Sequence, residues 1–118
     1  MEPSEELALI FECIREGLGG TVLWRVKAAS RVRADRDLQG LTPEGIRRDL
    51  IEHVRSIGLG AVSQRHEIRE GYSDDHEFWY RVLIPYDFLP QGLFVELVLV
   101  DLDDPEYPTI EIVNAHRQ

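Results

Sequence analysis

The sequence predicts an α+β domain in which two or three helices pack on a curved antiparallel sheet. Two observations predict this class. Apolar residues recur at helical spacing in two segments of the first half, and from Ala61 onward the pattern becomes strand-like. Short connections between the later runs favour antiparallel neighbours. The chain has 118 residues, 43% of them apolar and 30% charged, which suits one globular domain over 1–118.

The first half of the chain is predicted to contain two helices. In the first, Ser4 is the expected N-cap and Gly17 ends the helix. In the second, Thr42 is the N-cap, and Gly58 ends an apolar stripe of helical period. The segment between them is predicted to hold a short strand and a helical turn, at 21–26 and 28–40.

The second half contains four strand-like runs, of which the first is polar and the other three are largely apolar. The third of the four is apolar throughout except for Glu96, a carboxylate that needs a partner if it is buried. Arg65, Arg81 and His116 are the candidates for that partner. The four runs span 62–69, 77–84, 93–100 and 109–116.

Side chains alternate along strands, which assigns the polar residues to faces. Tyr80 and Arg81 are expected on opposite faces of their strand. Asn114 and His116 are expected to share the face of Ile112. Because an indole carries a large apolar area, both tryptophans are predicted to be largely buried, namely Trp24 and Trp79.

The charge of the chain is strongly acidic and unevenly distributed. A net charge of −9 argues against general nucleic-acid binding, which needs basic surface. The basic residues concentrate in 25–36, where Arg31 and Arg33 lie. Two interpretations of this stretch remain open, a phosphate-facing patch and an ordinary solvated face.

Several classes of site and location are not indicated by the sequence. The single cysteine, Cys13, cannot form an internal disulfide, which fits a reducing compartment. No signal peptide and no bilayer-length apolar run is visible, so a cytoplasmic protein without membrane contact is expected. The acidic stretches 74–76 and 101–104 lack the spacing of a metal site. We therefore expect no metal and no cofactor.

Three segments carry a likeness to a known family. Residues 34–46 lead into the second predicted helix, 72–82 contain a Tyr-Ser-Asp turn followed by a Trp-containing strand, and 92–116 form a final strand pair. With this order of elements, the stretch 30–117 resembles the motility quorum-sensing regulator (MqsR) type of messenger-RNA-cleaving toxin, within the RelE-like group.

The resemblance implies a RelE-like fold and a metal-independent endoribonuclease (mRNA interferase), with messenger RNA as substrate and a cognate antitoxin as partner. Cleavage beside a 2′-hydroxyl needs a base, an acid and a cation for the charge on phosphorus. The resemblance puts the catalytic candidates Tyr80, His116 and the pair His66 and Glu67 near polar or basic positions of the family, and Arg81 is a further catalytic candidate as the cation. The RNA-binding candidates are Arg65, Arg117, Arg31 and Arg33.

Two further hypotheses remain open. The net charge of −9 suits a non-catalytic, acidic protein-interaction module of the same fold, which would bind a basic partner. A small-ligand domain using the face of Glu96 and His116 is the third. A structural ion pair between these two residues is as compatible with the sequence as a catalytic role.

Overall fold

The protein is an α+β molecule in which three helices pack against a five-stranded mixed open sheet. The structure, a computed structural model, describes residues 2–17, 21–66, 77–100 and 109–117. The helices are α1 (Pro3–Glu16), α2 (Val26–Ala34) and α3 (Pro43–Ile57), and the strands are β1 (Val22–Trp24), β2 (Ser63–His66), β3 (Phe78–Tyr86), β4 (Leu89–Leu99) and β5 (Ile110–Arg117).

The strands lie in the order β1-β5-β4-β3-β2. The pairs β2–β3, β3–β4 and β4–β5 are antiparallel, as expected, whereas β1 pairs with β5 in parallel. The prediction of a fully antiparallel sheet is therefore corrected at this edge. No short connection links β1 to β5, since nearly the whole chain separates them, and so the hairpin argument does not apply to this pair.

The helices begin and end where local chemistry permits. Thr42 caps α3 as predicted, because its Oγ1 accepts a hydrogen bond from the Gly45 N–H at 3.0 Å. The N-cap prediction for Ser4 is wrong. The N-cap is Glu2, and the first helix starts at Pro3, two residues earlier than a Ser4 cap implies. The missing N–H of Pro3 costs nothing in the first turn. The helical turn predicted within 28–40 is a nine-residue helix, α2, which begins two residues before that segment. Tertiary packing stabilises this helix by burying Ala28 and Val32.

The two faces of the sheet differ in what covers them. The main core lies between the helices and the face that carries Tyr80, Val82, Val95 and Leu97. We call this the helix-covered face. The opposite face, called the helix-free face, has an apolar cluster without any helical residue: Trp79, Val98 and Val113. Trp79 is 1% exposed, which confirms its predicted burial. Trp24 is partly buried against the main core, and its indole N–H donates a hydrogen bond to the Pro43 carbonyl at 2.9 Å.

A β-bulge in β5 reverses the predicted orientation of the C-terminal polar residues. Glu96 pairs with Asn114, but Leu97 pairs with Ile112, so Val113 is one residue in excess. An extra residue moves every later side chain to the other face. The expectation that Asn114 and His116 share the face of Ile112 is therefore wrong, and both lie on the helix-free face.

A second irregularity lies in the β3–β4 hairpin. The sequence placed a connection at 85–92, but the strands continue into a tight turn at Asp87 and Phe88. Ile84 pairs with Leu93, and Tyr86 pairs with Leu89. Between these two pairs β3 advances by two residues and β4 by four. Residues 90–92 absorb the excess.

We expect Gly92→Ala to destabilise the hairpin. Gly92 has φ of +79°, and an added Cβ would lie 2.9 Å from the Ile84 carbonyl oxygen. Positive φ and this clash with backbone together should cost about 2 kcal/mol or more of unfolding free energy in urea denaturation. Gly40→Ala is the matched control, because Gly40 has φ of +85° with nothing within 4 Å of the added Cβ. Equal losses for the two variants would contradict a close approach at Gly92.

Candidate functional site

A row of three polar side chains crosses the helix-free face on β3, β4 and β5. Arg81 Nε lies 3.2 Å from Glu96 Oε2, and Asn114 Nδ2 lies 3.3 Å from Glu96 Oε1. Glu96 is 4% exposed, and the Arg81 side chain is 19% exposed. Each carboxylate oxygen thus accepts a charged or amide donor, which offsets the cost of its burial. Of the three partners predicted for Glu96, the structure selects Arg81.

The next row on the same face joins aromatic and basic groups around Phe94. Phe94 pairs with Leu83 on one side and with His116 on the other. The Arg81 guanidinium carbon lies 5.1 Å from the Phe94 ring centroid, within cation–π range. The His116 ring lies 5.4 Å from the same centroid, tilted by 36°. Arg81 and His116, two of the predicted catalytic residues, therefore flank one aromatic ring.

His116 presents one ring nitrogen for chemistry. Its Nδ1 lies 3.1 Å from the Arg117 carbonyl oxygen. A carbonyl only accepts, so this hydrogen bond places the proton of the neutral ring on Nδ1. Nε2 then carries the lone pair, and His116 is exposed to solvent. The arrangement suits a proton acceptor at the surface of the sheet.

Tyr80 lies on the other side of the sheet from these groups. It is fully buried on the helix-covered face. There its hydroxyl accepts a hydrogen bond from Gln64 Nε2 at 3.0 Å and donates one to the Glu6 carboxylate. Burial, followed by the negative charge of Glu6, raises the pKa of Tyr80 far above its ordinary value. The sheet separates Tyr80 from Arg81 and His116, so the structure does not bring the three together.

We expect this burial to make the protein sensitive to alkali. Burial raises the pKa of both Tyr80 and Tyr86, whose hydroxyl donates to Asp49 Oδ2 at 2.6 Å. A tyrosine whose folded pKa exceeds its unfolded value stabilises the fold fully below about pH 10 and loses that contribution as the pH rises further.

The measurement is urea unfolding at stepped alkaline pH, with tyrosinate absorbance recorded in parallel. Tyr80→Phe should show a shallower loss of unfolding free energy above about pH 10 than the parent chain. Ionisation of Tyr80 in the folded state near its ordinary pKa would contradict its buried environment.

His66, another of the catalytic candidates, lies on the edge strand β2. His66 pairs with Phe78, on the helix-covered side, and its Nε2 lies 3.4 Å from Glu77 Oε1 with both side chains well exposed. Its ring contacts Phe78 at 5.4 Å. Arg65 pairs with Trp79 and is exposed on the helix-free side. Glu67 lies outside the described residues. His66 is therefore not brought to the face of His116.

The four arginines predicted to bind RNA lie on three elements. Arg31 and Arg33 are exposed on α2, and Arg33 lies 3.6 Å from Glu44. Arg117 at the end of β5 lies 3.2 Å from Asp37. Arg65 lies on β2, which β3 and β4 separate from β5 in the sheet. The predicted basic patch of 25–36 is thus partly neutralised by nearby carboxylates.

Neither a metal centre nor a membrane-spanning helix is found in the described residues. Within 2–17, 21–66, 77–100 and 109–117, no three His, Cys, Asp or Glu side chains are grouped so that they could hold a metal ion. The acidic stretches 74–76 and 101–104 lie outside these ranges. No helix in the described part of the chain is long and apolar enough to cross a membrane.

Two members of the site were missed from sequence. Phe94 is not among the residues that the sequence indicates, and Asn114 is predicted on the wrong face. The alternation of β4 does put Phe94 beside Glu96 on one face, which was the available signal. Nothing in the sequence indicates the bulge at Val113 that brings His116 to that face.

Comparison with family models, curated proteins and solved structures finds no match for this chain. A functional assignment therefore rests on the side chains and their geometry.

Proposed function

We propose that this chain is a metal-independent endoribonuclease acting on messenger RNA, a RelE-like toxin of a toxin–antitoxin pair or a diverged relative. The helix-free face is its RNA-contacting surface. The observation that supports the proposal is the placement of Phe94 between Arg81 and His116, at 5.1 and 5.4 Å. An aromatic ring beside a cation and a proton acceptor is a combination that binds and acts on single-stranded RNA.

Each group has a role that its geometry permits. An unstacked base packs against the exposed part of Phe94 and the His116 ring. His116 Nε2 accepts the proton of a 2′-hydroxyl, and the 2′-oxygen attacks the adjacent phosphorus. The bond to the 5′-oxygen breaks, and that oxygen takes a proton from the imidazolium or from water. Arg81, held by Glu96, supplies positive potential at the phosphate. Tyr80 has no part in this mechanism.

The test is cleavage of a mixed-sequence RNA by the purified chain in the presence of EDTA. We expect cleavage that leaves 2′,3′-cyclic phosphate ends, with no cleavage of DNA of the same sequence, which lacks the nucleophile. A matched control is His53→Ala, which removes a histidine from α3 on the other side of the sheet and should leave the rate unchanged. Absence of cleavage at every RNA tested would reject the nuclease proposal.

The second candidate is a non-catalytic interaction module with a basic protein partner. The net charge of −9 favours it, as does the pairing of Arg81 with Glu96, which reduces the charge offered to a phosphate. Pull-down from native lysate separates the two candidates. A recovered basic protein and no RNase activity support the module, whereas recovery of RNA alone counts against it. A protein partner together with RNA cleavage fits a toxin with its antitoxin.

A further inference from the structure

A groove of about 350 Å³ lies at the end of the sheet where β5 stops. One wall is the 3₁₀ turn Arg36–Leu38 with Gln39, and the other is the bulged part of the β3–β4 hairpin. Arg117 stands between them. It pairs with Leu93 and so points to the side of the sheet opposite His116. The groove is therefore separate from the face assigned to RNA.

The lining of the groove is positive in an otherwise acidic chain. Two arginines and one aspartate line it, which gives +1 against −9 for the whole sequence. Arg117 lies 3.2 Å from Asp37, and both side chains are 60% exposed. The Arg36 side chain makes no ion pair with any residue that the structure describes. A ligand in the groove would therefore meet Arg36, which has no ion pair among the described residues, and Arg117, whose partner Asp37 is itself solvated.

The pair of Arg117 and Asp37 is readily exchanged for another anion. An exposed ion pair contributes little, because water solvates both charges well. A phosphate dianion offers more charge and more acceptor oxygens than one carboxylate, and arginine binds it with two parallel hydrogen bonds. Asp37 is held in place by the turn, since its N–H donates to Asp35 Oδ1 at 2.9 Å. Asp37 therefore acts as a weak internal competitor for Arg117.

The hairpin wall supplies an aromatic surface. Phe88 is 37% exposed, and its ring is supported by Tyr86 at a centroid distance of 5.5 Å. An exposed phenyl ring in a groove is a stacking surface for a base. The amides of Gln39 and Gln91 lie in the same lining and can donate to or accept from ring edges.

Gln39 is also the one non-glycine residue with positive φ in the described part of the chain, at φ 51° and ψ 43°. Left-handed backbone at a non-glycine residue is strained, and such strain is concentrated at ligand sites.

We infer that this groove binds a nucleoside monophosphate, with the phosphate between Arg36 and Arg117 and the base against Phe88. The inference goes beyond the proposed nuclease, because it requires no cleavage and uses the other side of the sheet. A free nucleotide and the phosphorylated end of an RNA strand share this chemistry. Asp37 limits the affinity for either.

The test is calorimetric titration of the purified chain with AMP, adenosine, inorganic phosphate, and a short RNA with or without a 5′-phosphate. We expect AMP to bind at least about tenfold more tightly than adenosine or phosphate alone. Arg117→Ala and Arg36→Ala should each weaken AMP binding about tenfold, and Asp37→Asn should strengthen it severalfold. Phe88→Ala should weaken binding of AMP but not of phosphate.

Arg15→Ala is the matched control, since it removes an exposed arginine paired with Glu12 on α1. It should leave every affinity unchanged. The inference is overturned if AMP binds no better than phosphate, if Arg36→Ala and Arg117→Ala behave like Arg15→Ala, or if Asp37→Asn weakens binding. A higher affinity for 5′-phosphorylated RNA than for AMP identifies the phosphorylated end of an RNA strand as the ligand, and equal affinities identify the free nucleotide. Thermal melting of each variant checks that the fold is retained.

Discussion

Arg81→Ala is expected to lower the free energy of unfolding by about 3 kcal/mol. The Glu96 carboxylate is 4% exposed and accepts from Arg81 at 3.2 Å. Removing the guanidinium takes the charged donor away from a buried carboxylate, whose other partners include the weaker Asn114 amide at 3.3 Å, and the desolvation of the carboxylate is then less well offset. The same truncation also removes the cation from the face of the Phe94 ring.

Urea denaturation measures this loss of unfolding free energy, and two further variants are measured for comparison. Arg15→Ala removes one partner of an ion pair in which both side chains are 51% exposed, and should cost little, because water solvates both charges. The double variant Arg81→Leu with Glu96→Leu removes both charges and should recover most of the stability, because apolar replacement of a buried pair is often neutral. If Arg81→Ala costs no more than Arg15→Ala, Glu96 does not depend on Arg81.

His116→Ala is expected to reduce RNA cleavage by roughly a hundredfold or more, the usual contribution of one positioned proton-transfer group. The free energy of unfolding should change by less than about 0.5 kcal/mol, because the His116 side chain is exposed. The sequence had left open a structural pair of His116 with Glu96, but in the structure Glu96 pairs with Arg81 and Asn114. His116 instead contacts Phe94.

Initial rates in EDTA and urea denaturation curves on the same preparations check both parts of this expectation. His53→Ala controls for loss of a histidine as such, since His53 lies in α3. A His116→Ala chain that cleaves RNA at the parental rate removes the residue from the mechanism. A chain that unfolds much earlier assigns it a structural role.

Residues with strong local signals were predictable from sequence. Thr42 followed by a helical stripe gave the start of α3, and the apolar alternation gave β3, β4 and β5 within a few residues. The opposite orientation of Tyr80 and Arg81 also followed from alternation, and the structure confirms it. This is why Tyr80 could not join Arg81 in one site.

The missing parts depend on long-range packing. The bulge at Val113 arises from how β5 fits against β4, and a single extra residue in a strand leaves no mark on composition. The direction of β1 depends on its partner at the other end of the chain. The groove of Arg36 and Arg117 joins residues that are 81 positions apart in sequence (117 minus 36), so no motif could indicate it.

The proposed function requires RNA to contact the helix-free face. The most direct test is chemical-shift mapping of the ¹⁵N-labelled chain with a short 2′-O-methyl RNA, which cannot be cleaved because its 2′-oxygen is blocked. We predict that the largest shifts fall on the amides of Arg81, Phe94 and His116 and on the Trp79 indole, and fade at high salt. Shifts confined to the arginines of α2, or no shifts at all, would contradict RNA binding at the helix-free face.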